Sequence, residues 1–220
     1  MRIEHLNKSF QGNVIFKDFF IDFIDEEINC IVGRSGVGKT TLLNILAGLD
    51  NNYKGDVLGN KVDEISYIFQ EDRLIPYLTV KENIELFVYN YYNHDEATEK
   101  IKSVFKLLHI ENILNMYPMK LSGGMRQRVN IARALIKPSR FILMDEPFKS
   151  LDYKTKYSIM KETKYIFSEG KKTVIFVTHD VDEAIYMGKR IIVLGDNPIK
   201  IKEIFEEELE DKKSNIIDML

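Results

Sequence analysis

The segment INCIVGRSGVGKT, residues 28–40, joins an apolar run to a glycine-rich turn that ends in a lysine and a threonine. The run Ile28–Val32 is short, apolar and followed by glycine, which predicts a buried strand. From Leu42 to Leu49 apolar residues recur at helical spacing, so a helix is expected directly after the turn. The segment therefore predicts a strand, a phosphate-binding loop and a helix, in that order.

The loop Gly33–Thr40 matches the pattern G-x-x-x-x-G-K-T at every fixed position. Its glycines let backbone amides approach a triphosphate, and the start of the next helix adds further amides. Lys39 suits the β- and γ-phosphates, and the Thr40 hydroxyl suits Mg²⁺. The alternative, a glycine turn before an ordinary helix, would make the complete match accidental. We therefore predict that the chain binds a nucleoside triphosphate with Mg²⁺.

An acidic pair follows a second apolar run. Phe141–Met144 is apolar, and Asp145 and Glu146 come directly after it. A carboxylate at a strand end can reach Mg²⁺, and the next one can orient or activate a water molecule. Taken alone, the pair is also consistent with two acidic loop residues.

A third pattern, LSGGM, occupies Leu121–Met125 and continues as RQRVNIARAL. Ser122 at a helix start, followed by two glycines, offers a hydroxyl and closely approaching amides to an anion. A simple Ser-Gly-Gly helix cap is the alternative for this segment by itself.

Together and in this order, the three patterns resemble the ATP-binding cassette (ABC) ATPases, and the resemblance extends from about Lys8 to Leu194. It implies an α/β fold: a P-loop NTPase (RecA-like) core with an antiparallel β subdomain and an inserted α-helical subdomain. The chain is interpreted as a single ABC ATPase domain over residues 1–220. The core and antiparallel lobe are expected at about 1–70 and 138–220, and the helical subdomain at about 71–137. The implied cofactors are ATP and Mg²⁺.

The resemblance also assigns roles to individual residues. Glu146 is the implied catalytic base, and His179 resembles the switch histidine that senses the γ-phosphate. Gln70 resembles the Q-loop glutamine, with a catalytic role and a contact to Mg²⁺. The implied Mg²⁺ ligands are Thr40, Gln70 and Asp145. The residues assigned to nucleotide binding are Phe10, Gly33, Arg34, Ser35, Gly36, Val37, Gly38, Lys39, Thr40, Thr41, Ser122, Gly123, Gly124 and Asp152.

The sequence leaves an alternative open for Phe10 and departs from the family pattern near Asp152. Phe10 is expected to stack on adenine, but core packing explains an aromatic residue there nearly as well. Asp152 belongs to Ser150-Leu151-Asp152, which resembles the D-loop, yet Lys149 stands where the family usually has a small residue. The other histidines, at positions 5, 94 and 109, are interpreted as structural.

The signature LSGGM implies an assembly. In the family this segment caps the γ-phosphate of ATP bound to the other subunit. Because the chain has one phosphate loop and one signature, the resemblance implies a head-to-tail homodimer with two ATP molecules at the interface.

Coarse periodicity places the remaining elements. Thr79 and Glu82 have capping-box spacing, which predicts a helix start. Further helices are expected at about Glu96–Leu108, Ser122–Ile136 and Tyr153–Ser168. Strands are expected at Arg2–Phe10, Val14–Phe23, Ile28–Val32, Phe141–Met144, Thr173–Val177 and Ile191–Leu194. The charged tail Glu206–Ser214 is interpreted as a solvated face or a frayed end.

Composition limits the environment of the chain. The formal net charge is −3, which provides no bulk basic field for nucleic acid. The single cysteine, Cys30, excludes an intrachain disulfide and is expected to be a buried small side chain. The first residues lack signal-peptide features, and no apolar run approaches the roughly 18 residues of a membrane span. We expect a soluble chain that reaches a membrane only by docking onto another protein.

The segment QEDRLIPYLTVKENI, residues 70–84, resembles the import ATPases for nitrate, sulfonates and taurine, some relatives of which carry thiamine-pyrimidine precursors. This implies a membrane permease partner, indirectly an extracellular solute-binding protein, no nucleic acid, and a location on the cytoplasmic face of the cell membrane. Leu74, Ile75, Tyr77 and Leu78 suit a receiving groove for the permease, or core packing. The alternatives are an exporter or lipid-extracting ATPase and a non-transport ABC protein.

Overall fold

The computed structural model describes residues 1–59 and 61–220. The chain divides into two compact units. The first comprises Met1–Ile65, Arg140–Glu146 and Phe167–Leu220, and the second comprises Ser66–Ser139 and Pro147–Ile166. The second unit therefore contains the predicted helical segment and, in addition, residues 147–166. The predicted division into subdomains of a single domain stays a prediction.

The strands are β1 (Arg2–Phe10), β2 (Asn13–Asp22), β3 (Ile28–Val32), β4 (Lys54–Leu58), β5 (Ile65–Ile68), β6 (Phe141–Asp145), β7 (Thr173–Thr178), β8 (Arg190–Gly195) and β9 (Lys200–Phe205). The helices are α1 (Lys39–Leu46), α2 (Val80–Val88), α3 (His94–Leu107), α4 (Gly123–Ile136), α5 (Tyr153–Glu169), α6 (Val181–Met187) and α7 (Lys213–Asp218).

The first unit is built on a mixed sheet. Its strands follow the order β6-β7-β3-β8-β9, parallel except for the antiparallel pair β8–β9. Every residue of β3, β6 and β7 is buried. Parallel strands covered on both faces need continuous apolar sequence, which explains why these strands could be predicted from the sequence. The carboxyl ends of parallel strands share one edge, so the residues that follow β3, β6 and β7 collect there.

A separate antiparallel sheet in the same unit has the order β2-β1-β4. Phe10 and Asn13 pair across the β1–β2 hairpin, so Gln11 and Gly12 form a two-residue turn. Both turn residues have positive φ, 47° and 86°, as the common two-residue hairpin turn requires. The hairpin holds Phe10 at its tip.

The second unit is mainly helical, and side chains cap its helices. Thr79 and Glu82 form the predicted capping box of α2, and Asn93 and Glu96 form another at α3. The Oγ of Ser122 accepts a hydrogen bond from the Met125 amide at the start of α4. Helix α4 packs against α2 and α3, through buried residues such as Val129.

The predicted strands and helices are present, with ends that agree to within three residues. Five elements were not predicted: β4, β5, β9, α6 and α7. The charged tail interpreted as a frayed end leads into α7, where Ile216 is fully buried. No helix in the described ranges 1–59 and 61–220 is long and apolar enough to cross a membrane.

Candidate active site

The phosphate loop connects β3 to α1 in the first unit, and its lysine is enclosed. Lys39 is 4% exposed, and its Nζ donates hydrogen bonds to the carbonyl oxygens of Gly33, at 2.6 Å, and Arg34, at 3.0 Å. The ammonium group therefore lies within the turn of the loop. A cation held there beside backbone amides is suited to phosphate oxygens.

Two glycines of the loop are required by close neighbours. A Cβ on Gly33 would lie 2.8 Å from the carbonyl oxygen of Leu194, at the end of β8. Gly38 has φ +111°, and a Cβ there would lie 2.6 Å from Ile199 Cδ1. Ile199 is fixed in turn, because its amide donates to the Ile15 carbonyl at 2.8 Å. Side chains at these two positions would displace the loop.

A cavity of about 430 Å³ adjoins the loop within the first unit. That volume lies in the usual range of small-molecule sites. Phe10 lines it and is 61% exposed, which argues against the core-packing alternative for this ring. The other lining residues are Asn13, Val14, Ile15, Gly36, Val37, Gly38, Thr41, Asp196, Asn197 and Ile199. The residues present fit a nucleoside triphosphate, with phosphates on the loop and the base beside Phe10.

The predicted catalytic pair meets at the end of the central sheet. Glu146 follows β6 and His179 follows β7, and their Oε2 and Nδ1 atoms are 3.2 Å apart. The Glu146 amide donates to the Val177 carbonyl at 2.9 Å, although its φ is +41°. Such left-handed backbone is uncommon for a residue other than glycine and often occurs at functional sites. Because Nδ1 of His179 faces this carboxylate, Nε2 on the opposite side of the ring is left for a further partner.

Hydrogen bonds behind His179 fix its backbone on both sides. The buried hydroxyl of Thr178 donates to Glu183 Oε2 at 2.7 Å and accepts from the Asp180 amide at 3.0 Å. Asp180 Oδ1 then caps α6 by accepting from the Asp182 and Glu183 amides. Thr178 and Glu183 were not predicted from the sequence. The available signal was a threonine directly before the histidine and a glutamate five positions after that threonine.

The second unit carries the signature. Ser122 is exposed at the start of α4, and its oxygen serves the helix cap, so the predicted Ser-Gly-Gly cap is present. Its O–H remains available as a donor, because a hydroxyl can accept and donate at once. Gly124 is buried, and a Cβ on it would lie 2.5 Å from Thr155 Cγ2 in α5. This glycine lets the start of α4 approach α5 closely.

A cavity of about 470 Å³ within the second unit brings Gln70 and Gly123 together. Its other lining residues are Glu71, Asp72, Arg126, Gln127, Lys149 and Ser150. Asp152 lies nearby in sequence, and its Oδ1 accepts from the Thr155 amide at 3.1 Å. The hydrogen bonds from the side chain and the amide of Thr155 lower the pKa of Asp152, so this carboxylate is ionised at neutral pH.

The structure thus groups the predicted site residues into two sets. The first unit holds the phosphate loop, Phe10, Asp145, Glu146 and His179, and the second holds Gln70, Asp152 and the signature. Asp145 is buried at the end of β6, and Thr40 is exposed at the start of α1. Sequence analysis missed Asp196 and Asn197, which line the cavity beside Phe10 and belong to no pattern recognisable from spacing.

Comparisons with known proteins identify relatives of this chain. The family profile described as ABC transporter matches residues 16–149. An aliphatic sulfonates import ATP-binding protein, SsuB, of Bacillus cereus is 42% identical over 187 residues, covering 81% of this chain and 73% of the relative. An ABC transporter ATP-binding protein of Methanocaldococcus jannaschii, MJ0412, is 39% identical over 221 residues, covering 96% and 83%.

A solved structure adds the same fold. The dimeric structure of a post-hydrolysis state of the ATP-binding cassette MJ0796, bound to ADP and Pi, has a TM-score of 0.80 and 32% sequence identity, covering 93% of this chain and 97% of that one. The likeness confirms the predicted α/β fold of the P-loop NTPase class.

Proposed function

The chain belongs to the ABC transporter family and is an ATP-binding ATPase of that family, and we propose that it drives an importer as a homodimer around two Mg-ATP. The observation that carries the proposal is the division of the site. One unit encloses Lys39 in a phosphate loop and pairs Glu146 with His179. The other presents Ser122, exposed, at the start of α4. The first set can hold a triphosphate, and the second set can cap one, so a complete site needs both.

The chain's own residues account for hydrolysis. Lys39 and the amides of the loop hold the β- and γ-phosphates. Glu146 orients the attacking water and accepts its proton, since its carboxylate is positioned at the strand end beside the loop. The Nδ1 contact with Glu146 directs the opposite ring nitrogen of His179 to the γ-phosphate. Thr40 and Asp145 would hold Mg²⁺, which neutralises charge on the phosphate oxygens. The contact of Gln70 with Mg²⁺ stays a prediction.

The signature serves the other copy. The Ser122 hydroxyl, the α4 amides and the two glycines form a donor surface for an anion at a helix start. In a head-to-tail pair, this surface closes on the γ-phosphate held by the second chain. Asp152 lies at the same interface, as its D-loop resemblance implies.

The partner is a membrane permease, contacted through the segment after Gln70. Leu74 is buried, so the core-packing alternative applies to it, whereas Tyr77 is 77% exposed and is free to meet another protein. The solute is small: sulfonate-, nitrate- or taurine-like, or a thiamine-pyrimidine precursor. The relative named for aliphatic sulfonate import supports the sulfonate among these. The chain then works on the cytoplasmic face of the membrane. Co-purification with a permease and an extracellular solute-binding protein would favour import over export or lipid extraction.

The replacement Glu146→Gln tests the proposal. The variant keeps the phosphate cradle, so we expect it to bind ATP, to hydrolyse it about 10²–10⁴-fold more slowly, and to accumulate as a nucleotide-bound dimer. Light scattering after size exclusion, with Mg-ATP and with EDTA, measures the dimer, and phosphate release measures turnover.

Glu203→Gln is the matched control, because Glu203 is an exposed glutamate in β9 of the same unit. It should hydrolyse ATP like the wild type. Wild-type turnover by Glu146→Gln would remove Glu146 as the base, and a strictly monomeric Glu146→Gln chain with ATP bound would contradict the shared site.

A further inference from the structure

Two arginines of α4 hold the segment that follows Gln70. Arg126 Nε lies 3.0 Å from Asp72 Oδ2. Arg133 donates from Nη1 to the Arg73 carbonyl at 3.1 Å and from Nη2 to the Asp72 carbonyl at 3.0 Å. One arginine therefore binds the side chain of this segment and the other binds its backbone.

Both arginines are also tied to the helix from which they extend. Arg126 Nη1 donates to the Leu121 carbonyl at 2.6 Å, just before the signature serine, and Arg133 Nη2 donates to Asn130 Oδ1 at 2.9 Å. Positions seven residues apart lie on one face of a helix, two turns from each other. The two guanidinium groups thus make a continuous connection from the start of α4 to the segment 72–73.

The same segment is fixed to α2 on its other side. Asn83 is 1% exposed, accepts from the Ile75 amide at 2.8 Å, and donates to the Ile75 and Leu78 carbonyls at 3.1 Å each. The guanidinium of Arg73 stacks on Phe69, 3.6 Å from the ring centroid. The residues from Asp72 to Leu78 are therefore held at both ends, and the exposed ring of Tyr77 projects from a fixed base.

We propose that Arg133 is a positioning residue that makes the Tyr77 surface and the signature at Ser122 move as one rigid element. This rests on the proposed function, in which the permease contacts Tyr77 and Ser122 closes on ATP of a second copy. Displacement at Tyr77 is then transmitted through the Asp72 and Arg73 carbonyls to α4. The guanidinium is needed because its planar fork reaches three acceptors at once, whereas a lysine ammonium is a point charge without that geometry.

The variant Arg133→Lys tests the connection first in the isolated chain, by hydrogen exchange. We expect the amides of residues 72–75 to exchange at least about tenfold faster, since losing hydrogen bonds to a charged group lowers the free energy at which this segment opens. Arg128→Lys is the matched control. Arg128 lies on the same helix and pairs with Glu162 and the Leu108 carbonyl, so it should leave these amides unchanged. Unchanged exchange in Arg133→Lys would overturn the connection.

The second measurement compares ATP hydrolysis by the isolated chain with hydrolysis by the chain assembled with its membrane subunit. We expect Arg133→Lys to keep the basal kcat and KM within about twofold of the wild-type values. The factor by which the membrane subunit stimulates ATP hydrolysis should fall about tenfold, which corresponds to the loss of one charged hydrogen bond. Asp72→Asn removes the charged partner of Arg126 in a surface segment and should lose part of the stimulation by the membrane subunit. This second variant keeps the test decisive if Arg133→Lys misfolds.

The outcomes separate the two proposals. If no membrane subunit stimulates ATP hydrolysis by the wild-type chain, the proposed function fails. The hydrogen-exchange measurement still tests whether Arg133 connects α4 to residues 72–73. If the wild type is stimulated and Arg133→Lys is stimulated equally despite faster exchange, the proposed function stands and the role of Arg133 is wrong.

Discussion

The two units place their site residues by different physical means. In the first, Glu146 and His179 follow fully buried parallel strands, so strand pairing and core packing set their positions. In the second, Ser122 caps α4, and side-chain contacts of Arg126 and Arg133 hold the segment that follows Gln70. Buried strands open rarely, whereas regions held by partly exposed polar contacts open at lower free energy. If the proposed function holds, we expect a fixed half, the first unit, that binds nucleotide and an adjustable half, the second unit, that responds to partners.

The largest expected effect comes from Lys39→Ala, which tests whether the first unit alone binds nucleotide. The enclosed ammonium lies at the phosphate cradle, so its loss should reduce hydrolysis by about 10²–10³-fold or more and take ATP affinity below detection. Ser122→Ala should leave the affinity of the monomer unchanged while it slows hydrolysis. Titration calorimetry with a non-hydrolysable ATP analogue, together with phosphate release, measures both.

Lys17→Ala, an exposed lysine in β2 of the same unit, is the control and should behave like the wild type. Normal nucleotide affinity in Lys39→Ala would refute the cradle. An equal loss of monomer affinity in Ser122→Ala would show that nucleotide binding does not divide between the two halves as we infer.

A smaller effect is expected from Phe10→Ala, which examines the cavity beside the loop. An aromatic ring stacked on a base contributes about 1–3 kcal/mol, so the Kd for ATP should rise roughly 5- to 150-fold while maximal turnover changes little. Phe10→Tyr should retain the affinity. Phe20→Ala removes another exposed phenylalanine of the β1–β2 hairpin, one that does not line the cavity, and serves as the control. An unchanged Kd in Phe10→Ala would exclude stacking.

The sequence predicted the first unit best because its strands are continuous apolar runs bounded by turns. It missed β4, KGDVL, where lysine, aspartate and a glycine with φ +113° replace the apolar signal. Strand β9, KIKEIF, was missed because its apolar residues, Ile201, Ile204 and Phe205, do not alternate. Helix α6, seven residues long, is too short for periodicity to show, and its Asp180 cap becomes meaningful only beside His179.

The candidate site divides in the same way. The patterns predicted which residues bind phosphate, yet the 3.2 Å contact between Glu146 and His179 joins positions far apart in the chain, which spacing does not determine. The contacts of Arg126 and Arg133 were not predicted, because an arginine on a helix is usually solvated. Arg126 pairs with Asp72, which is distant in sequence, and Arg133 binds the backbone carbonyls of Asp72 and Arg73. Backbone acceptors leave no trace in residue identity.

The smallest effect concerns how the second unit is packed. Alanine normally stabilises a helix relative to glycine by about 1 kcal/mol, but a Cβ on Gly124 would lie 2.5 Å from Thr155 Cγ2. Overpacking costs about 1–3 kcal/mol. We therefore expect Gly124→Ala to lower the free energy of unfolding by up to about 2 kcal/mol net. Urea denaturation followed by circular dichroism measures this loss.

The neighbouring glycine gives a matched comparison for that packing. A Cβ on Gly123 would be 3.6 Å from Leu151 Cδ2, an ordinary contact, so Gly123→Ala should not destabilise the chain. Adding Thr155→Ser to Gly124→Ala removes the opposing methyl group and should recover most of the lost stability. If the double variant is no more stable than Gly124→Ala, the close approach of α4 to α5 is not what requires glycine here. The adjustable half would then depend on its arginines more than on its packing.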